Sequence, residues 1–113
     1  MDTHELINLR RERIVRGRTY LEFLRKGSLS AGLYVLRAGE VDPQQPHLED
    51  EVYVAMRGRA RFTAGDVVRE VHEGDVIYVA AGVPHRFHDI TAELELIVVF
   101  APPESAPADA ATG

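Results

Sequence analysis

The chain has 113 residues, enough for one compact domain around a single core but too few for two domains of ordinary size. Its 45% hydrophobic and 27% charged residues are typical of a folded globular protein and exclude a disordered or membrane-embedded chain. The formal net charge of −5 argues against nucleic-acid binding as the main task, and the absence of cysteine excludes disulfides and thiolate metal ligands.

The beginning of the chain is not expected to act as a signal peptide. It lacks the basic and then apolar layout of a signal peptide, and no apolar run approaches the roughly 18 residues needed to span a membrane. We therefore expect a cytoplasmic protein without a membrane partner. The arginines of the same stretch are interpreted as a solvated face.

Residues 1–18 mix Leu, Ile and Arg and predict a short helix or an irregular arm. From Tyr20 the apolar period changes to two, which predicts β-strands. The predicted strands are 20–24, 29–37, 51–56, 60–63, 67–71, 76–79, 85–90 and 93–100, with a tight turn at Arg57-Gly58. Short strands at this spacing predict an all-β barrel or sandwich over residues 19–102. Residues 103–113 have no periodicity and predict a disordered tail.

Strand parity brings several polar side chains to one face. Gln45 and His47 share a face, and so do Glu51 and Tyr53, because side chains alternate along a strand. His85 reaches the same interior if the chain returns as a neighbouring strand. The sequence thus predicts a metal site of His47, Glu51 and His85, to which the Gln45 amide oxygen could add a fourth bond.

Two imidazoles and one carboxylate suit iron, manganese, nickel or zinc in the divalent state and leave coordination positions open. One divalent ion and the single charge of Glu51 leave a net charge of about +1 (2 − 1). We therefore expect a small-molecule ligand, with anionic or chelating oxygen compounds favoured.

The same residues carry a resemblance to a known family. The intervals of the first cupin motif are matched by Gly39, Gln45, His47, Glu51 and Gly58, with Gln45 in place of the first histidine. The intervals of the second cupin motif are matched by Gly74, Ala80, Gly82, His85 and Asp89, with Ala80 and Asp89 substituted. The chain resembles a small single-domain cupin of the conserved-barrel, or cupin 2, type.

The resemblance implies a jelly-roll barrel of the double-stranded β-helix kind, from about Tyr20 to Pro102. It also implies that His47, Glu51 and His85 bind a metal, because the family's motif histidines and glutamate do so. Tyr53 and Phe87 each lie two residues beyond a proposed ligand, so we expect both in the substrate pocket. The Tyr53 hydroxyl is a candidate proton donor.

Residues 52–56 and 96–100 are apolar on both strand faces, whereas a strand with one face in water should alternate. The N-terminal segment or a second subunit must cover the outer face, and we expect a homodimer. The leading functional hypothesis is a metal-dependent enzyme, a dioxygenase, isomerase, cyclase or lyase acting on a small oxygen-rich or aromatic metabolite. The alternative is a non-catalytic module that binds or senses a small ligand.

Overall fold

Strands dominate the structure, a computed structural model that describes residues 1–43 and 46–105. Its elements are α1 Leu6–Arg16, β1 Tyr20–Arg25, β2 Ser30–Leu36, β3 Asp50–Ala64, β4 Val67–His72, β5 Val76–Val79 and β6 His85–Ala101. The first predicted segment thus contains a helix rather than an irregular arm, and the prediction of an all-β body is confirmed. No helix of the described ranges is long and apolar enough to cross a membrane.

The strands form one antiparallel sheet in the order β1-β2-β6-β3-β4, with β5 also paired to β3. The long strand β3 therefore has β6 on one edge and both β4 and β5 on the other. The sheet curls around one core, which draws buried aromatic side chains from four strands. Alternation along β3 is regular at its start, where Glu51, Tyr53 and Ala55 are buried and the residues between them are partly exposed.

The predicted tight turn at Arg57-Gly58 is wrong, because β3 continues through both residues. The β3–β6 register shifts on either side of Arg57, which is the signature of a bulged strand. Gly58 has φ +107, and a Cβ there would lie 2.3 Å from the carbonyl oxygen of Glu93. Glycine at this position permits close backbone contact between two long strands rather than a reversal of the chain.

Asp89 shows why one motif position accepts a substitution. Its φ of +48 is in the left-handed region, and it is the one non-glycine residue of the described chain with positive φ. Asparagine and aspartate tolerate this conformation better than other side chains. Aspartate can therefore replace the asparagine of the second motif without a change of backbone.

Helix α1 covers part of the outer sheet face. Leu9 packs in a second hydrophobic cluster with Leu21, Leu33 and Val35 of β1 and β2. Next to it, the Arg10 guanidinium donates to both carboxylate oxygens of Glu95, over 2.8 and 2.7 Å. The N-terminal segment thus supplies some of the cover that the apolar strands require, over β1, β2 and the neighbouring part of β6.

The chain stays packed on the barrel beyond residue 102. Glu104 is 1% exposed, and its backbone N–H donates to Ser30 Oγ over 2.9 Å. The Arg25 guanidinium donates to the Glu104 carbonyl oxygen over 2.8 Å. The start of the predicted tail is therefore part of the folded body, while residues 106–113 lie outside the described residues.

Candidate metal centre

Three side chains from separate segments meet inside the barrel. His47, Glu51 and His85 each offer one ligand atom, and these atoms lie within 4.8 Å of one another. His47 Nε2 is 3.3 Å from Glu51 Oε1, and His85 Nε2 is 3.4 Å from the same oxygen. The structure thus brings two imidazoles and one carboxylate to a common point.

The backbone around the cluster holds these segments together. Glu51, near the start of β3, pairs with Val79 at the end of β5, and a short loop then leads to His85 at the start of β6. Within that loop, Gly82 N–H donates to the His47 carbonyl oxygen over 2.7 Å. A second loop amide, that of Ala81, donates to Asp50 Oδ1 over 2.8 Å. All three ligand-bearing segments are therefore anchored to the loop between β5 and β6.

The Glu51 carboxylate fits a metal ligand because of what surrounds it. Its side chain is 1% exposed, and neither oxygen has a hydrogen-bond partner of ordinary geometry within the described residues. A buried carboxylate without hydrogen bonds is costly unless a cation compensates it. Two imidazole nitrogens lie 3.3 and 3.4 Å from Oε1, and imidazoles are themselves metal ligands when neutral. The donor set therefore fits a divalent transition metal.

His85 is oriented by its other ring nitrogen. Nδ1 lies 2.8 Å from the Val83 carbonyl oxygen, which can only accept, so Nδ1 carries the hydrogen and Nε2 presents its lone pair to the cluster. Burial lowers the pKa of His85, whereas the Glu51 carboxylate and the Val83 carbonyl raise it by more. The net pKa is above the ordinary histidine value, as expected for an imidazole beside a buried anion.

Tyr53 and Phe87 occupy different positions relative to the cluster. The Tyr53 hydroxyl is 3.0 Å from His85 Nε2, so Tyr53 borders the proposed ligands directly. Phe87 packs edge to face on Tyr53, with ring centres 5.0 Å apart, and lies 4.4 Å from the ring of Phe62. Phe87 therefore supports Tyr53 from within the core. The proposed fourth ligand, Gln45, lies outside the described residues.

A buried aspartate, Asp42, fixes the segment before His47. Asp42 is 3% exposed and accepts from the Tyr34 hydroxyl over 2.6 Å and from the Phe87 amide over 2.9 Å. These bonds connect β2, β6 and the approach to the metal centre. The Asp-Pro pair at 42 and 43 was the only sequence signal, and such pairs more often mark exposed turns.

Two further glutamates near the site were also missed. Glu49 is 4% exposed and Glu104 is 1% exposed, and each has a carboxylate oxygen without a hydrogen-bond partner in the described chain. Glu104 Oε2 lies 3.8 Å from His47 Nδ1. Burial, followed by the charges of Glu22, Glu51 and Glu49, raises the pKa of Glu104 to about 7. Its place in an aperiodic segment gave no signal of burial.

A pocket of about 210 Å³ lies beside His85. It is lined by Pro46, Thr63, Gly65, Pro84, His85 and Arg86. Arg86 contributes the one formally charged cationic side chain of this lining.

Comparison with known proteins agrees with this architecture. The family model described as Cupin domain matches residues 32–101. An uncharacterized protein of Streptomyces coelicolor is 48% identical over 105 residues, which cover 93% of this chain and all of that protein.

Two solved structures show the same fold. A cupin of Methanocaldococcus jannaschii with a double-stranded β-helix aligns at a TM-score of 0.67 and 24% identity, over 74% of this chain and 78% of that one. The DMSP lyase of Ruegeria pomeroyi aligns at a TM-score of 0.63 and 26% identity, over 67% of this chain and 39% of that one. The predicted double-stranded β-helix is confirmed.

Proposed function

Because the chain belongs to the cupin family, we propose that it is a metal-dependent enzyme for a small oxygen-rich or aromatic metabolite. The substrate would coordinate directly to one divalent ion held by His47, Glu51 and His85. The observation that carries this proposal is the buried Glu51 carboxylate, which has no hydrogen-bond partner among the described residues and lies between two imidazole nitrogens.

The donor set suits iron, manganese, nickel or zinc. When bound, such an ion supplies Lewis-acid polarisation of a substrate oxygen or, for iron, access to oxygen chemistry. Gln45 is the proposed fourth ligand from sequence. Glu51 is the one carboxylate among the three clustered donors, and Arg86 in the adjoining pocket adds a positive charge. These features support an anionic or chelating substrate.

Tyr53 is the proposed proton donor. Its hydroxyl is buried and borders His85 Nε2 at 3.0 Å, and the Phe62 and Phe87 rings fix the tyrosine ring by edge contacts. A buried hydroxyl that is held in one orientation can donate a hydrogen bond to a substrate oxygen without first displacing solvent molecules. Phe87 acts here by packing, as the second member of the proposed pocket.

The reaction class stays open among oxygenation, isomerisation, cyclisation and elimination, because one fold hosts all of them. The similarity to a DMSP lyase supports elimination as one member of this set. It covers 39% of that enzyme, so the lyase's substrate does not transfer to this chain.

Metal analysis tests the proposal. We expect native protein purified without an affinity tag to carry about one equivalent of a transition metal. Glu51→Gln and His85→Ala should lose it, because the first replaces the charged ligand with a weaker neutral one and the second removes a ligand. His88→Ala is the matched control, since His88 also lies on β6 but contacts Thr63 and Asp89.

Oxalate titrated into cobalt-loaded protein then reports on open coordination positions through the visible absorption of the metal. A spectral change supports the enzyme, because a chelating anion has reached the ion. Metal-free native protein that takes up no metal on soaking would overturn the proposal and favour the non-catalytic binding or sensory module.

We also propose a homodimer formed through the outer face of β3 and β5. Val52 pairs with Tyr78 and Val54 with Val76, so all four side chains share that face. Val76 is 67% and Tyr78 63% exposed, while α1 contacts β1 and β2 instead. In a two-fold dimer the same apolar face of both subunits would meet, and each copy would cover the exposed apolar side chains of the other.

Sedimentation tests the dimer. Sedimentation equilibrium should give native protein a molecular mass of twice 12.6 kDa and the Tyr78→Glu variant a mass of 12.6 kDa. Native protein that sediments as a monomer would contradict the assembly.

A cytoplasmic location without nucleic-acid partners stays a prediction.

A further inference from the structure

The two candidate ligand histidines each present Nε2 to Glu51, so each needs its hydrogen on Nδ1 to bind a metal through Nε2. For His85 the Val83 carbonyl oxygen, 2.8 Å from Nδ1, enforces that tautomer. For His47 the ring nitrogen on the far side, Nδ1, faces Oε2 of Glu104 at 3.8 Å. A carboxylate on the outer nitrogen of a metal-binding histidine is a recurrent way of fixing the ring and raising its basicity.

The backbone of Glu104 is held by two hydrogen bonds. Ser30 Oγ accepts from its N–H and Arg25 donates to its carbonyl oxygen, so β2 and β1 hold the residue from two sides. Its side chain is 1% exposed, and Oε2 has no hydrogen-bond partner of ordinary geometry within the described residues. A carboxylate held in the interior in this way is costly unless it takes up a hydrogen bond there.

We infer that Glu104 is a positioning residue that accepts a hydrogen bond from Nδ1–H of His47 and thereby directs Nε2 to the metal. The inference rests on the proposed metal centre. A shortening of about 1 Å brings the pair from 3.8 Å to hydrogen-bond distance. Contacts of this kind often tighten only when a site is filled.

The sequence gives this residue no family motif. Glu104 follows the strand that ends at Ala101 and lies outside both motif segments. The metal centre would then combine ligands from the two motifs with a supporting side chain, Glu104, that lies outside them. Truncation before residue 104 should therefore impair metal binding although every proposed ligand remains.

The test uses three variants. Glu104→Leu removes the acceptor, and Glu104→Gln keeps an acceptor oxygen in a similar shape. Glu49→Leu is the matched control, because it also removes one buried negative charge near the site. Cobalt affinity is measured by competition with a chelator. The tautomer of His47 is read from ¹⁵N chemical shifts of the metal-free full-length protein above pH 8.

We expect native His47 to carry its hydrogen on Nδ1. Glu104→Leu should shift it toward the Nε2–H tautomer and weaken cobalt binding about tenfold to hundredfold. Glu104→Gln should retain most of the affinity, and Glu49→Leu should leave the tautomer unchanged. Should Glu104→Leu fail to fold, native protein and Glu104→Gln still test the inference, since His47 should carry its hydrogen on Nδ1 in both.

An equal loss of affinity in Glu104→Leu and Glu49→Leu, with an unchanged tautomer, would overturn the inference in favour of net charge alone. The two proposals fail separately. Native protein that binds no cobalt contradicts the metal centre, whereas native protein that binds cobalt with His47 hydrogenated on Nε2 contradicts only the role of Glu104.

Discussion

The Tyr53 hydroxyl lies 3.0 Å from Nε2 of His85, although the two residues come from different strands, β3 and β6. Both side chains are buried, so the contact is screened from bulk water. Nε2 is also the nitrogen that points to Glu51, at 3.4 Å. The hydroxyl is therefore placed beside the one ligand atom of His85 that a metal would use.

Replacing Tyr53 with phenylalanine should separate metal binding from substrate binding. The aromatic packing on Phe62 and Phe87 is kept, and no proposed ligand is changed, so metal content should stay near that of native protein. Oxalate affinity of the cobalt form should fall about tenfold, because one hydrogen bond to a bound anion is lost. Tyr20→Phe, which removes another buried hydroxyl outside the proposed pocket, is the control. Unchanged oxalate affinity would show that Tyr53 has no role toward the ligand.

Glu51→Gln should stabilise the metal-free protein while it abolishes metal binding. The native carboxylate is buried and has no hydrogen-bond partner in the described part of the chain, and a neutral amide costs less to desolvate. We expect the free energy of unfolding to rise by about 1–2 kcal/mol in urea with a chelator present. Glu95→Gln is equally buried but should be destabilising, because Glu95 accepts both hydrogen bonds from Arg10. A destabilised Glu51→Gln would mean that the carboxylate has a compensating partner.

The Asp42 carboxylate should be a main support of the segment that carries His47. Asp42→Ala leaves the buried Tyr34 hydroxyl and the buried Phe87 amide without this acceptor, and we expect a loss of about 3 kcal/mol. Tyr34→Phe removes only one of these bonds and should cost about 1 kcal/mol. Urea unfolding of both variants measures the difference. Equal losses would show that the bond to the Phe87 amide contributes nothing.

The fold and the clustering of His47, Glu51 and His85 could be predicted, because strand periodicity and motif spacing are read directly from the sequence. Strands follow from period-two alternation, and Glu51 is found from its spacing to His47. Glu104 could not be predicted, because its burial depends on Ser30 and Arg25, which are 74 and 79 positions away. A lone acidic residue among prolines and small residues is usually solvated. Gly58 was misassigned for a related reason, since the glycine signal is the same for a turn and for a close strand contact.

Gly58→Ala tests that close contact. An added Cβ would lie 2.3 Å from the Glu93 carbonyl oxygen and 2.6 Å from Leu94 Cα, both backbone atoms of β6 that cannot rotate away. Gly74 also has positive φ, at +93, but has open space around its Cβ position. Gly74→Ala should therefore cost only the conformational strain, about 1–2 kcal/mol.

Gly58→Ala should cost about 2 kcal/mol more than Gly74→Ala, because β3 and β6 must also separate. Urea unfolding of the two variants side by side gives this difference directly. Because Glu51 and His85 lie on the same two strands, Gly58→Ala should weaken cobalt binding as well, whereas Gly74→Ala should not. Equal stabilities of the two variants would show that β6 yields to the methyl group, and that the bulge rather than the close approach requires glycine.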